Sequence, residues 1–132
     1  MAGIYVDTSA LGRVLLAEPD ASVILDVLID HDEWWSSELI VVELRRLGAR
    51  EGLADAAERL LGALRLAPVD SPSLQRASAI EPWAVRSLDA IHLQAAVRLK
   101  DRASIAAVLT YDHQLQAGCA HNGLAVHAPR AD

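Results

Sequence analysis

Short apolar runs alternate with stretches of helical periodicity along this chain, and that alternation leaves few folds open to it. Residues 4–7, 34–36, 66–69, 105–110 and 124–127 read as brief strands. Between them the spacing predicts helices over 8–17, 21–30, 38–50, 53–66, 71–79, 87–100 and 113–121. Glu18-Pro19 stops the first helix, while Asp20 and Ser37 stand where caps of the second and third belong. Strands separated by helices in this way form a parallel sheet covered on both faces, an α/β fold. In such a fold the working site lies beyond the carboxyl ends of the strands.

At 132 residues, 52% hydrophobic and 23% charged, the chain is expected to form one domain with its own core. No apolar run approaches the roughly 18 residues of a membrane span, and no secretory leader is expected at the N-terminus. The single cysteine, Cys119, allows no internal disulfide and no cysteine metal cluster, which fits a reducing cytoplasm. It is expected to be a buried or half-buried spectator. A net charge of −6 argues against a protein that coats nucleic acid. It leaves open an enzyme that meets phosphate through a bound cation.

Four acids stand in unusual places. Asp7 follows the run Ile4-Tyr5-Val6, and Asp112 follows Val108-Leu109-Thr110-Tyr111. If those two strands are neighbours, their carboxylates converge at one edge of the sheet. Glu43 falls inside the apolar stripe Leu39, Ile40, Leu44 and Leu47, where a carboxylate is costly unless paired or cation-bound. Asp89 opens the most strongly patterned helix. Three of them have an ordinary explanation when taken alone. Asp7 can cap a helix, Glu43 can pair with Arg46 at the rim, and Asp89 can satisfy a helix dipole. His92, one turn after Asp89, is expected to be a satisfied, half-buried histidine. Together, however, four close carboxylates repel one another unless compensated, and a hard divalent cation such as Mg²⁺ or Mn²⁺ is the compensation oxygen ligands suit.

The segments "YVDTSAL", "SSELIVVELRR", "SLDAIHLQAA" and "VLTYDHQL", in this order, resemble the PIN-domain ribonucleases, in particular the VapC-type toxins of bacterial toxin–antitoxin pairs. "SLDAIHLQAA" carries the most specific likeness, and the resemblance covers essentially the whole chain. It implies a three-layer α/β/α sandwich with a central parallel sheet of four to five strands, in a single PIN domain over residues 1–132. It implies metal-dependent endonucleolytic cleavage of RNA with Asp7, Glu43, Asp89 and Asp112 as the acidic quartet. Asp7, Asp89 and Asp112 would hold the Mg²⁺ or Mn²⁺, and Glu43 would orient or deprotonate the attacking water. Ser9 and Thr110 would be supporting hydroxyls. Arg45, Arg46 and Arg86 would offer phosphate contacts to the RNA, and the same arginines also suit solvated, paired helix faces. The implied partners are a cognate antitoxin protein and a second copy of the chain, with no membrane.

Three rivals have weaker support. An aspartyl-phosphate phosphatase wants an acid two residues after its nucleophile, where this chain has Ser9. A signal-receiver domain wants a strand-end lysine, and the only lysine is Lys100, on a predicted helix. A PIN fold that has lost catalysis and serves as a protein-binding scaffold is opposed by the presence of all four acids.

Overall fold

A computed structural model describes residues 2–131. The strands are β1 (Gly3–Val6), β2 (Trp34–Ser37), β3 (Arg65–Ala67), β4 (Ile105–Leu109) and β5 (Val126–His127). The helices are α1 (Thr8–Leu15), α2 (Ala21–Ile29), α3 (Leu39–Glu51), α4 (Ala54–Gly62), α5 (Ser71–Ala79), α6 (Ser87–Asp101) and α7 (His113–His121). Every expected element is present. Most bounds agree within one or two residues; the larger differences are α4, which ends at Gly62, and the last strand, which holds only Val126 and His127. The residues after α4 pair with β2 instead, Trp35 with Arg65 and Ser37 with Ala67, so ladder bonds win over helical periodicity. Gly52, at φ +71°, closes α3 in the left-handed conformation that glycine adopts at least cost.

The five strands form one all-parallel sheet in the order β3-β2-β1-β4-β5. The chain builds outward from β1 to β3, then crosses back and continues on the other side with β4 and β5. The direction reverses between β1 and β4, the crevice where α/β sheets place their ligands. Helices cover both faces. Ile4 and Val6 face a cluster with Leu11 of α1, Ile24 and Leu28 of α2, Ile40 and Leu44 of α3, and Leu61 of α4. Tyr5 points the other way, into a cluster with Leu93 and Leu99 of α6 and Leu115 and Cys119 of α7. Alternation along β1 thus builds the two outer layers of the sandwich.

The adjacent tryptophans follow the same rule. Trp34 packs with the first cluster and donates to the Leu28 carbonyl, while Trp35 packs with the second. Trp83 is 69% exposed. Asp20 precedes α2 but does not cap it. Its carboxylate pairs with Arg13 at 2.9 Å and accepts from the Ala131 amide. Cys119 is buried, which pushes its thiol up to about 12. No helix among the described residues is long and apolar enough to cross a membrane.

Candidate catalytic site

Asp7 and Thr110 each follow directly on one of the two strands flanking the reversal, so the fold brings them together across 103 residues of chain. Asp7 is the N-cap of α1 and is 4% exposed. One carboxylate oxygen accepts from Ser9 Oγ at 2.7 Å and from the Ala10 amide at 3.2 Å. The other accepts from Thr110 Oγ1 at 2.7 Å. Burial nevertheless holds its pKa above the usual aspartate value, against the lowering effect of these bonds. Capping a helix and standing at the sheet edge are therefore the same placement.

The two hydroxyls also order the facing turn. Ser9 Oγ accepts from the Tyr111 amide at 2.8 Å, and Thr110 Oγ1 from the Asp112 amide at 3.1 Å. Asp112 in turn caps α7 by accepting from the Leu115 amide at 2.9 Å. Asp89 lies in the first turn of α6, half-buried. Its pKa is pushed up to about 6, first by burial and then by the Asp112 charge, with Asp7 adding to the effect and a hydrogen bond to Asp112 favouring the protonated form. Three of the four acids thus share one electrostatic environment.

Glu43 joins them by a different route. It projects from α3 and accepts from Thr8 Oγ1 at 2.7 Å, one residue past Asp7. The same oxygen meets His92 Nε2 at 2.9 Å, one turn past Asp89. Burial raises the Glu43 pKa, but the His92 and Thr8 contacts together outweigh it, and the net shift is downward. Glu43 therefore pairs with His92 rather than Arg46. His92 is 2% exposed, more buried than expected, and its Nδ1 lies 2.6 Å from the Tyr5 hydroxyl. Burial raises the Tyr5 pKa strongly, so the phenol keeps its proton. Ser36 and the Ser37 backbone lie close enough to ease its ionisation, yet Ser36 Oγ completes no hydrogen bond. Tyr5 accordingly donates to Nδ1, which leaves the ring proton on Nε2 to be donated to Glu43.

No local pattern assigns roles to Tyr5 and Thr8, and for His92 the sequence predicts only a satisfied, half-buried ring. The available signal was the i+3 spacing of Asp89 and His92, which puts both on one side of α6. Arg45 forms a two-pronged pair with Glu58 at 2.8 and 2.9 Å on an exposed face. Arg46 and Arg86 are exposed.

Among the described residues, no three Asp, Glu, His or Cys side chains form a ready-made metal-holding group. The donor chemistry nonetheless fits a hard cation that keeps several waters and takes one or two carboxylates directly. Asp89 and Asp112 are such a pair, and their mutual repulsion is what a cation would relieve.

A PIN domain family model matches residues 4–119. The chain is 38% identical to Ribonuclease VapC47 of Mycobacterium tuberculosis over 135 residues, covering 97% of this chain and 98% of the relative. It is 34% identical to Ribonuclease VapC46 of the same organism over 131 residues, with 98% and 99% covered. Ribonuclease VapC35 is 37% identical over 131 residues, with 96% of each chain covered.

Proposed function

Because this chain belongs to the PIN-domain family and to its VapC-type ribonucleases, we propose that it is a metal-dependent endoribonuclease, the toxin of a toxin–antitoxin pair. It forms a single domain over residues 1–132, cleaves RNA in the cytoplasm and is inhibited by a cognate antitoxin protein. Its working form is a homodimer. The observation that carries the catalytic part is the carboxylate cluster at the β1/β4 reversal, where Asp89 is raised to about 6 by burial and by Asp112.

Asp7, Asp89 and Asp112 hold the Mg²⁺ or Mn²⁺. When bound, that ion supplies charge neutralisation at the scissile phosphate and a more acidic water. Ser9 and Thr110 keep the Asp7 carboxylate in one orientation. Glu43, ionised and held by Thr8 and His92, accepts a hydrogen bond from the attacking water and aims it at phosphorus. Its depressed pKa makes it a better orienter than a store for the water's proton. Arg46 and Arg86 have exposed guanidiniums for phosphates flanking the scissile bond, whereas Arg45 must first leave Glu58.

The test is RNA cleavage by purified, antitoxin-free protein with Mg²⁺, with Mn²⁺ and with EDTA, using Asp7→Asn and Asp89→Asn as controls. Metal-dependent cutting lost in both variants is expected. Absence of both cutting and Mn²⁺ binding would leave a protein-binding scaffold in place of the enzyme.

A further inference from the structure

Between α5, α6 and the end of β3 lies a cleft that the catalytic reading does not use. It consists of two adjoining cavities of about 340 and 240 Å³. Arg76, Gln94, Arg98 and Arg102 line both of them. Arg98 follows Asp89 by nine residues on α6, about 14 Å along the axis and half a turn out of phase, so the cleft is separate from the carboxylates.

The arginines of this cleft differ from four others in the chain. Arg13, Arg45, Arg50 and Arg65 each have a carboxylate within ion-pair distance. Among the described residues, Arg76, Arg98 and Arg102 have none. Two acids lie near, but Asp70 is occupied in capping α5 through the Ser73 amide, and Asp101 pairs with none of the three. A chain of net charge −6 thus gathers three guanidiniums without a direct ion pair around one concavity, with Asp70 acting on Arg76 only at longer range. The α6 dipole accounts for cations at its last turn, which favours Arg98 and Arg102 there. It does not account for Arg76, which comes from α5.

Arg76 is also fixed in place. Its Nε donates to Gln94 Oε1 at 3.1 Å, and Gln94 Nε2 donates to the Ile91 carbonyl at 3.0 Å. Gln94 is 3% exposed, so a buried neutral amide is held by the backbone and holds Arg76 in turn. With Nε engaged, the two terminal amino groups remain for a ligand. Ala79, Ile80 and Val97 form an apolar wall beside them. Oriented guanidiniums next to an apolar surface suit phosphate oxygens together with a ribose or base.

We infer that this cleft binds phosphate groups of an RNA strand through Arg76, Arg98 and Arg102, an inference that rests on the ribonuclease reading for the identity of the strand. The experiment measures binding of a labelled single-stranded RNA oligomer to the full chain by fluorescence anisotropy, in EDTA so that nothing is cut. Several salt concentrations are used, with AMP, inorganic phosphate and a poly-glutamate peptide as separate competitors. In Arg98→Ala/Arg102→Ala, affinity should fall about tenfold, and the salt dependence should weaken by about 0.7 in log–log slope for each phosphate that is no longer neutralised. Gln94→Leu, which frees Arg76 without removing it, should show a smaller loss, with melting curves confirming that each variant is folded. Unchanged affinity and slope in the arginine variants would overturn the inference. AMP or phosphate competing as well as the RNA would overturn the strand as occupant in favour of a free nucleotide. Displacement by the peptide, with RNA binding indifferent to the variants, would overturn it in favour of an acidic protein. If the arginine variants lose RNA binding but the parent cuts no RNA with any metal, the cleft stands and the ribonuclease reading falls.

Discussion

Two pairs of carboxylates meet at the carboxyl end of the sheet, and they are held in opposite ways. Asp7 and Glu43 form a tied pair. Asp7 accepts three hydrogen bonds from Ser9, Ala10 and Thr110, and Glu43 accepts two from Thr8 and His92. Asp89 and Asp112 form a loose pair. Asp112 accepts from the Leu115 amide, but the hydrogen bond between the two carboxyls requires a proton that is lost as pH rises through about 6, which leaves Asp89 facing the Asp112 charge. The tied pair is preorganised by the protein alone. The loose pair is the part of the cluster that a cation would complete. The division matches the proposed task of Glu43, since orienting a water needs fixed geometry, and it gives the proposed ion one fixed ligand, Asp7, beside two adaptable ones.

The largest effect should come from the tied pair. Asp7→Asn keeps the size of the side chain and leaves an oxygen to accept from the Ala10 amide, so the fold should melt close to the parent. Loss of the charge should reduce cleavage by on the order of 10²–10³, the range for removing one preorganised electrostatic interaction. Single-turnover cleavage alongside thermal melting checks this. Full activity at parental stability would break the distinction between the pairs and remove Asp7 from the site.

Next in size is the relay behind Glu43. His92→Phe removes the donor to Glu43 and leaves the Tyr5 hydroxyl without its acceptor, which should lower stability by about 1–3 kcal/mol. It should also lower kcat by about tenfold by freeing the Glu43 carboxylate. His92→Gln retains an amide donor on a longer arm and should recover part of kcat even if stability is not restored. Recovery of stability without kcat would make His92 a core residue only.

This relay is also where the sequence is least informative. Strand, acid and helix follow one another within a few residues at Asp7 and at Asp112, so those placements are written locally and can be read. The Glu43 partner lies 49 residues away on another helix, and the pairing depends on how α3 and α6 pack. Asp20 illustrates the same limit. It occupies the position of a cap, yet Arg13 and the Ala131 backbone claim its carboxylate. The helix expected to run to residue 66 stops at Gly62 because β2 offers partners that no local pattern reveals. Position along the chain predicts which groups stand at the sheet edge, and tertiary packing decides which of them are bound.

The smallest expected effect tests the loose pair through pH. Asp89 binds its proton more tightly in the folded chain than in the unfolded one, since its pKa rises from the usual aspartate value to about 6. Its contribution to stability is therefore present below the ordinary aspartate range and is lost as pH rises through about 6. Asp7 is raised too and acts in the same sense. Glu43 acts in the opposite sense, because its lowered pKa gives stability that is present above the ordinary glutamate value and lost as pH falls through the folded one. Between pH 5 and 7 the metal-free protein should become slightly less stable as pH rises. Asp89 is half-exposed, and solvent screening should keep the change below about 1 kcal/mol. Asp89→Asn should flatten the slope, and so should saturating Mn²⁺, which stabilises the folded chain by binding it preferentially. Denaturant unfolding at pH 5, 6 and 7, with and without Mn²⁺, reads all three. A slope that persists in Asp89→Asn and in Mn²⁺ would assign it to Asp7 or a distant group, and the two pairs would then not differ in the way their hydrogen bonds indicate.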